Sequence, residues 1–288
     1  MVTVIGIYLF IIIGFISKKT FKDIDEKSFV IMSVYFLQPF LTLWGLMLKP
    51  IHLSTSTAPL LYLLVIFSSF IITLTLAKLF FNGKEQNIVT ITSLIGNTGN
   101  LGIPLSFALW GGDGAFWATI INISNVFFIY SFAIFFYAGK FSIENGKRIF
   151  KIPIIWIGII AVILNSNGVM FNKDIMKILQ MGAFSSMVIQ LIIFGIYTAN
   201  IKIKKIDIKL SLIIVIEKFL ILPLVGFLIL QTINLDPFLT KVILLEVMVP
   251  IAVSNVNLAA LFDNKPEEVA WLVILTSVLF IPYFYFLF

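Results

Sequence analysis

Apolar residues run along this chain in long blocks, and polar residues gather in the short breaks between them. A bilayer crossing needs about 20 consecutive apolar residues. The pattern predicts ten spans: Val2–Ser17, Ser28–Leu48, Thr57–Phe80, Asn87–Trp110, Ala115–Ala138, Ile152–Asn165, Ile175–Ala199, Leu210–Thr232, Pro237–Phe262 and Glu268–Phe288. The sixth is short. The first has no basic residue ahead of it and Lys18-Lys19 behind it, the wrong polarity for a cleaved signal peptide, so it reads as a retained helix. The breaks are short throughout and leave no room for a separate enzymatic module.

One block departs from the pattern. In the fourth span, Gly96-Asn97-Thr98-Gly99-Asn100-Leu101-Gly102-Ile103-Pro104 packs three glycines, two asparagines and a proline into nine residues. Glycine and proline weaken a helix, and proline removes a backbone donor. Hydrocarbon supplies no water to repair the loss, so such a break survives only against protein or a wet cavity. The stretch therefore predicts an interrupted helix lining a substrate site. Asn97, Thr98 and Asn100 supply its polar side chains. Either they bind substrate or they satisfy backbone freed at a packing kink. Gly99 and Gly102 either admit a close helix or expose backbone to substrate.

A second break, Val249-Pro250-Ile251-Ala252-Val253-Ser254-Asn255-Val256-Asn257, interrupts the ninth span. Ala115-Phe116-Trp117 opens span five and Val269-Ala270-Trp271 opens span ten, each after an acidic turn. The chain thus reads as two fivefold halves, residues 1–139 and 152–288, joined by a connector at 140–151. An odd number of spans per half requires opposite insertion. Paired interruptions in two inverted halves point to a transporter's midplane site.

Composition and charge sharpen this picture. Of 288 residues, 60% are hydrophobic and 12% charged, where a soluble domain is about half apolar and a quarter charged. The net charge of +6 is a topology signal, not a nucleic-acid signal. Of the 20 basic residues, fifteen lie in the odd-numbered loops, Lys202, Lys204 and Lys205 among them, and four in the even-numbered ones. Cytoplasmic loops hold the excess, which places both termini outside a cell membrane. Lys202-Ile203-Lys204-Lys205 also offers contact with anionic lipid. There is no cysteine, which excludes disulfides and thiol chemistry, and the single histidine, His52, lies in a loop.

Three ionisable residues fall inside spans: Glu217, Lys218 and Glu246. A charge at that depth costs at least about 2.5–3.5 kcal/mol, so each needs a reason. Glu246 lies one helical turn before Pro250 and is a candidate for proton coupling. Lys218 is a candidate partner for a substrate carboxylate or for Glu246. On an α-helix Glu217 would point about 100° away from Lys218 and not share its site. The alternatives are a structural Lys–Glu pair or snorkelling. Asn122, Ser124 and Asn125 offer a polar wall behind the first break, or interhelical hydrogen bonds.

The motif Asn97-Thr98-(three residues)-Gly102-Ile103-Pro104-Leu105, followed by Trp110-Gly111, resembles the auxin efflux carrier family, which includes plant PIN-type carriers and bacterial malate-permease-like proteins. Val249-Pro250 with Phe262, Ile12–Phe15 before a basic loop, and Pro39 late in span two fit the same family. The resemblance implies a bile-acid-transporter-like, all-α membrane fold, with broken helices four and nine crossing near their prolines. It implies a scaffold of spans one, two, six and seven that often dimerises, and a mobile transport unit of spans three to five and eight to ten. It implies carriage of organic anions, with Asn97 and Pro104 in the first crossing strand and Pro250 with Ser254 or Asn255 in the second.

The chain departs from the plant pattern: residues 140–151 replace a long cytoplasmic loop, and span three is uncharged until Lys78. An Ile-, Lys-, Asn- and Phe-rich chain resembles bacterial members and favours a metabolic carboxylate such as malate or malonate over auxin. The expectation is a secondary transporter and not an enzyme, needing no cofactor, with proton or sodium coupling open. A channel-like facilitator and a non-transporting sensor are the rivals.

Overall fold

In the computed structural model, residues 2–140, 142–200 and 206–287 are described. Lys202, Lys204 and Lys205 lie outside them. The described chain is helical, with no strand beyond one isolated two-residue bridge. In chain order the main helices are α1 (Val2–Thr20), α2 (Glu26–Leu46), α3 (Leu53–Phe80), α4 (Gly83–Ile91), α5 (Thr98–Ala138) and α6 (Pro153–Ser166), followed by α7 (Lys173–Asn200), α8 (Ile208–Gln231), α9 (Pro237–Met248), α10 (Ser254–Leu261) and α11 (Pro266–Leu287). Among the described residues six helices are long and apolar enough to cross a membrane: α2, α3, α5, α7, α8 and α11. The chain is a multi-pass, all-helical membrane protein.

Short polar side chains start these helices where hydrogen bonds would otherwise be missing. Asp25 accepts from the N–H groups of Lys27 and Ser28, Asp207 from Leu210, and Asp236 from Phe238. The Ser28 hydroxyl also donates to Asp25, and these bonds hold the Asp25 carboxyl below its ordinary range. Asn172 Oδ1 receives the N–H groups of Asp174 and Ile175 at the head of α7.

Three prolines inside helices share one device. Pro39, Pro104 and Pro223 each follow a turn wound in the wider π register, at Met32–Leu37, Thr98–Gly102 and Glu217–Ile221. Gln38 N–H reaches back five residues to Ser33, and Leu222 N–H to Glu217. The extra residue lets each proline fall in the first turn of a new α segment, where its missing N–H and fixed φ cost little.

The turn expected over Gly111–Gly114 contracts to one residue. Helical hydrogen bonding runs through α5 except at Gly111, where φ 60° and ψ −145° break it; only glycine takes that conformation cheaply. The two arms then close so tightly that a Cβ at Gly114 would lie 2.2 Å from the Ser106 carbonyl oxygen.

The chain divides into two compact units. The first comprises Met1–Pro59, Gly99–Ile123 and Arg148–Asn200; the second comprises Leu60–Thr98, Ser124–Lys147 and Ile201–Phe288. The first unit packs by bare backbone and rings. A Cβ at Gly14 would lie 2.0 Å from the Ile192 carbonyl oxygen, and one at Gly195 1.9 Å from that of Ile11, so α1 and α7 touch backbone to backbone. Trp44 stands edge-on to Phe107 and Phe184 over a core of Leu41, Ile103, Leu179 and Met187. Asn165 of α6 donates to the Leu46 and Lys49 carbonyls at 2.8 Å and accepts from Ile51 N–H at 2.7 Å, which completes the open end of α2.

The second unit sets Phe67 and Phe70 of α3 edge-on to Phe128, Phe132 and Phe136 of α5. At one end of this unit, Lys84 pairs with Asp263 at 3.0 Å and Lys265 bridges Glu85 and Glu268. Partial burial opposes the Lys265 charge, but the bonds to Glu85 and Glu268 win and hold its ammonium above the ordinary value. These pairs brace a turn in which Asp263 and Lys265 take φ near +50°, a conformation few side chains adopt.

Candidate functional site

The two sequence breaks meet inside the second unit. After α4 a single 3-10 turn, Thr92–Leu94, gives way to extended backbone at Ile95–Asn97, and α9 gives way to extended backbone at Val249–Ala252. The two stretches run antiparallel, with Gly96 opposite Ile251. Asn97 N–H donates to the Pro250 carbonyl at 2.8 Å, and Ala252 N–H to the Ile95 carbonyl at 2.9 Å. Pro250 has no N–H to give, so its carbonyl is its whole share of the ladder.

Unwound backbone at this depth leaves further groups to satisfy, and buried side chains do it. Asn125 Nδ2 donates to the Gly96 carbonyl at 2.9 Å and to Thr98 Oγ1 at 2.8 Å, while its Oδ1 accepts from the Tyr62 hydroxyl at 3.2 Å. Asn255 Nδ2 donates to the carbonyls of Ile95 and Ala252, and its Oδ1 accepts from the Tyr137 hydroxyl at 2.9 Å. Tyr137 is steadied by Thr92 at 2.8 Å, and Ile251 N–H reaches Thr276 Oγ1. Both amide hydrogens of Asn125 and of Asn255 are thus committed to the protein, and Asn255 supports the crossing rather than offering a free donor.

Asn97 differs. Its side chain is buried, yet its Nδ2 has no hydrogen-bond partner. A buried amide without a partner costs about 1–3 kcal/mol. Beside it, Gly96 makes room for a cation. A Cβ at Gly96 would lie 3.3 Å from Lys218 Nζ and 3.3 Å from the Glu246 carbonyl oxygen. Lys218 and Glu246 are both fully buried, and the Glu246 carboxylate is close enough to act on the Lys218 ammonium and on Tyr62. A buried charge pair, a loose donor and a helix break are thereby gathered within one patch.

Glu217 and Lys218 both lie in the π turn at Glu217–Ile221, and both side chains are completely buried. Neither carboxylate oxygen of Glu217 has a hydrogen-bond partner, and Ser93 is the side chain that faces it.

The structure does not bring every candidate to this point. Thr98 and Pro250 lie in the crossing, and Ser254 begins α10 just after it. Pro104 is corrected: it is not in the crossing strand but in the α segment after the π turn, with Asn100 and Gly102 on the way to it. Asn100, Gly102 and Pro104 belong to the first unit, as does Asn122, whose amide fills the space beside Gly99. The sequence reading missed Thr92, Tyr62, Tyr137 and Thr276, which complete the network. Their signal was available: among eight tyrosines and 30 phenylalanines, a tyrosine inside an apolar span marks a hydroxyl that must find a partner.

Comparison with known proteins bears on this geometry. Residues 1–145, half of the chain, match the model of a family described as membrane transport protein. An uncharacterized transporter of Methanocaldococcus jannaschii is 26% identical over 211 residues, covering 70% of this chain and 68% of that protein.

Proposed function

This chain belongs to the membrane transport protein family, that of the auxin efflux carriers, and on that premise we propose that it is a secondary carrier of small organic anions. Carboxylates such as malate or malonate, or auxin-like acids, bind at the crossing of Ile95–Asn97 and Val249–Ala252. The observation that carries this reading is the buried, unpartnered Nδ2 of Asn97 next to the glycine that seats the Lys218 ammonium. An amide donor and an ammonium are what a carboxylate needs, and Lys218 supplies the only positive side chain among the buried ones described. Glu246 holds Lys218 while the site is empty, and an incoming carboxylate takes its place.

The carrier crosses a cell membrane ten times in two inverted halves, with both termini outside. The six long helices supply part of that count, and the shorter or broken ones, α1, α4, α6, α9 and α10, fill the remainder. The division into two units supports alternating access: α1, α2, α6 and α7 lie in the first, α4 and α8 to α11 in the second, and the chain passes from one to the other within α3 and α5. The first unit serves as a scaffold that pairs with a second copy.

Counterflow in proteoliposomes tests the carrier. Preloading with unlabelled malonate, malate or indole-3-acetate should accelerate uptake of the same labelled acid. Uptake that never saturates and ignores preloading would instead describe a channel-like facilitator. Single cysteines at Lys49 and Lys84 should label from opposite faces, and labelling from one face would overturn the topology.

A further inference from the structure

Glu217 is the buried ionisable group that the reading above leaves without a task. It is fully enclosed, no hydrogen bond reaches either carboxyl oxygen, and it stands in the π turn of α8 against the 3-10 turn at Thr92–Leu94. The groups around it can be taken element by element. Its own helix offers Lys218, which Glu246 of α9 engages. The Thr92–Leu94 turn offers the Ser93 hydroxyl, itself buried without a hydrogen-bond partner, and Thr92, which is bound to Tyr137 of α5. Tyr62 of α3 faces Glu246. α11 presents Trp271, whose indole N–H donates to Ser211 of α8, Thr276, bound to backbone, and Tyr283, its ring tilted against Phe219. The one buried ammonium described is therefore engaged by Glu246, and Glu217 is left with no hydrogen bond to either oxygen and only the Ser93 hydroxyl facing it. A carboxylate buried with neither an ion partner nor hydrogen bonds is not sustained; the group keeps its proton instead.

We infer that Glu217 is the proton site of this carrier: a carboxyl group that is neutral in the conformation described here and whose proton makes anion binding possible. The inference rests on the carrier reading for its purpose but not for its test. With Glu217 ionised, the three side chains Glu217, Lys218 and Glu246 sum to a charge of −1 before substrate arrives, and with it neutral they sum to zero. An anion entering this enclosed site meets less repulsion in the second case, so anion and proton move together. When the site opens to a less acidic side, the Glu217 O–H bond breaks, the proton passes to water, and the carboxylate left behind takes a hydrogen bond from Ser93. The charge that appears expels the substrate from Lys218. Coupling thus falls on Glu217, and Glu246 acts as the counter-ion of the lysine.

Infrared difference spectroscopy on the purified full-length protein in lipid nanodiscs, without any substrate, reads the proton directly. Wild type at neutral pH should show the carbonyl stretch of a neutral carboxylic acid in water-free surroundings, shifted in heavy water. Glu217→Gln should lose that band and Glu246→Gln should keep it. A band that survives Glu217→Gln, or that disappears only in Glu246→Gln, overturns the assignment. Should Glu217→Gln fail to fold, Glu217→Asp keeps a carboxyl group in altered surroundings and should shift the band; an unmoved band also overturns it. The consequence for binding is a separate reading. Wild-type affinity for the anion should fall about tenfold per pH unit once Glu217 begins to ionise, and that slope should vanish in Glu217→Gln. Loss of the band in Glu217→Gln with no anion bound by any variant would leave the proton site standing and remove the carrier reading.

Discussion

The two compact units of this protein solve the problem of packing helices in different ways. The first brings backbones together at Gly14 and Gly195, fills the remainder with rings and aliphatic side chains, and buries no charged residue among those described. The second contains every fully buried ionisable acid or lysine among the described residues, Glu217, Lys218 and Glu246, and knits its unwound backbone with Asn125, Asn255, Tyr62 and Tyr137. Close apolar packing is rigid and has nothing to exchange. A buried polar network with one donor left over and one cation for two carboxyl groups has alternatives available to it. The difference separates the part that holds a shape from the part that handles a ligand.

Substitutions in the two units should therefore fail in different ways. The largest effect is expected at Lys218. Lys218→Met leaves Glu246 buried without its counter-ion and should cost about 3–5 kcal/mol, with loss of uptake. Adding Glu246→Gln should return most of that stability, since replacing both members of a buried pair is often neutral, but should not return uptake. Recovery of both would make the pair structural and blur the contrast between the units. Next comes Gly195→Ala, which drives a methyl group into the Ile11 carbonyl and should cost about 1–3 kcal/mol as overpacking. Thermal unfolding should register it, while the protein that remains folded keeps its anion affinity. A changed affinity at unchanged stability would assign ligand handling to the first unit as well.

The smallest effect is expected at Lys265→Met. Its partners Glu85 and Glu268 are partly exposed, so the loss should stay below about 1 kcal/mol and shrink in high salt. Because these bonds raise the folded-state value of the ammonium, their contribution is fully present at neutral pH and is lost only as pH climbs through that raised value. Stability measured at neutral and strongly alkaline pH in wild type and variant should converge at the alkaline end. A constant difference would show that Lys265 acts through packing alone.

Much of this was legible in the apolar blocks, because a bilayer demands length and an unbroken run of apolar residues, and both are written in one dimension. The two breaks were legible for the same reason: glycine, asparagine and proline at membrane depth contradict their surroundings. What stayed hidden depends on pitch and pairing. Pro104 marks the first motif, yet the π turn ahead of it moves the proline into the next helix and leaves Ile95–Asn97, without a proline, to form the crossing. The same kind of turn at Glu217–Ile221 holds two neighbouring ionisable residues, both buried, with different partners: Ser93 beside Glu217 and Glu246 beside Lys218. Asn97, Asn125 and Asn255 look alike in sequence. Only their partners separate the two that repair backbone from the one that keeps a donor in reserve.

That reserve donor is the centre of the account, and the thermal stabilisation of purified wild type and Asn97→Ala by malonate, malate and indole-3-acetate tests it most directly. The side-chain amide makes no hydrogen bond through Nδ2, so its removal should leave the stability without ligand within about 1 kcal/mol of wild type. One class of acid should then raise the melting temperature of wild type and leave Asn97→Ala unmoved. Equal stabilisation of both proteins by the same acid would contradict the account and place the anion away from the crossing.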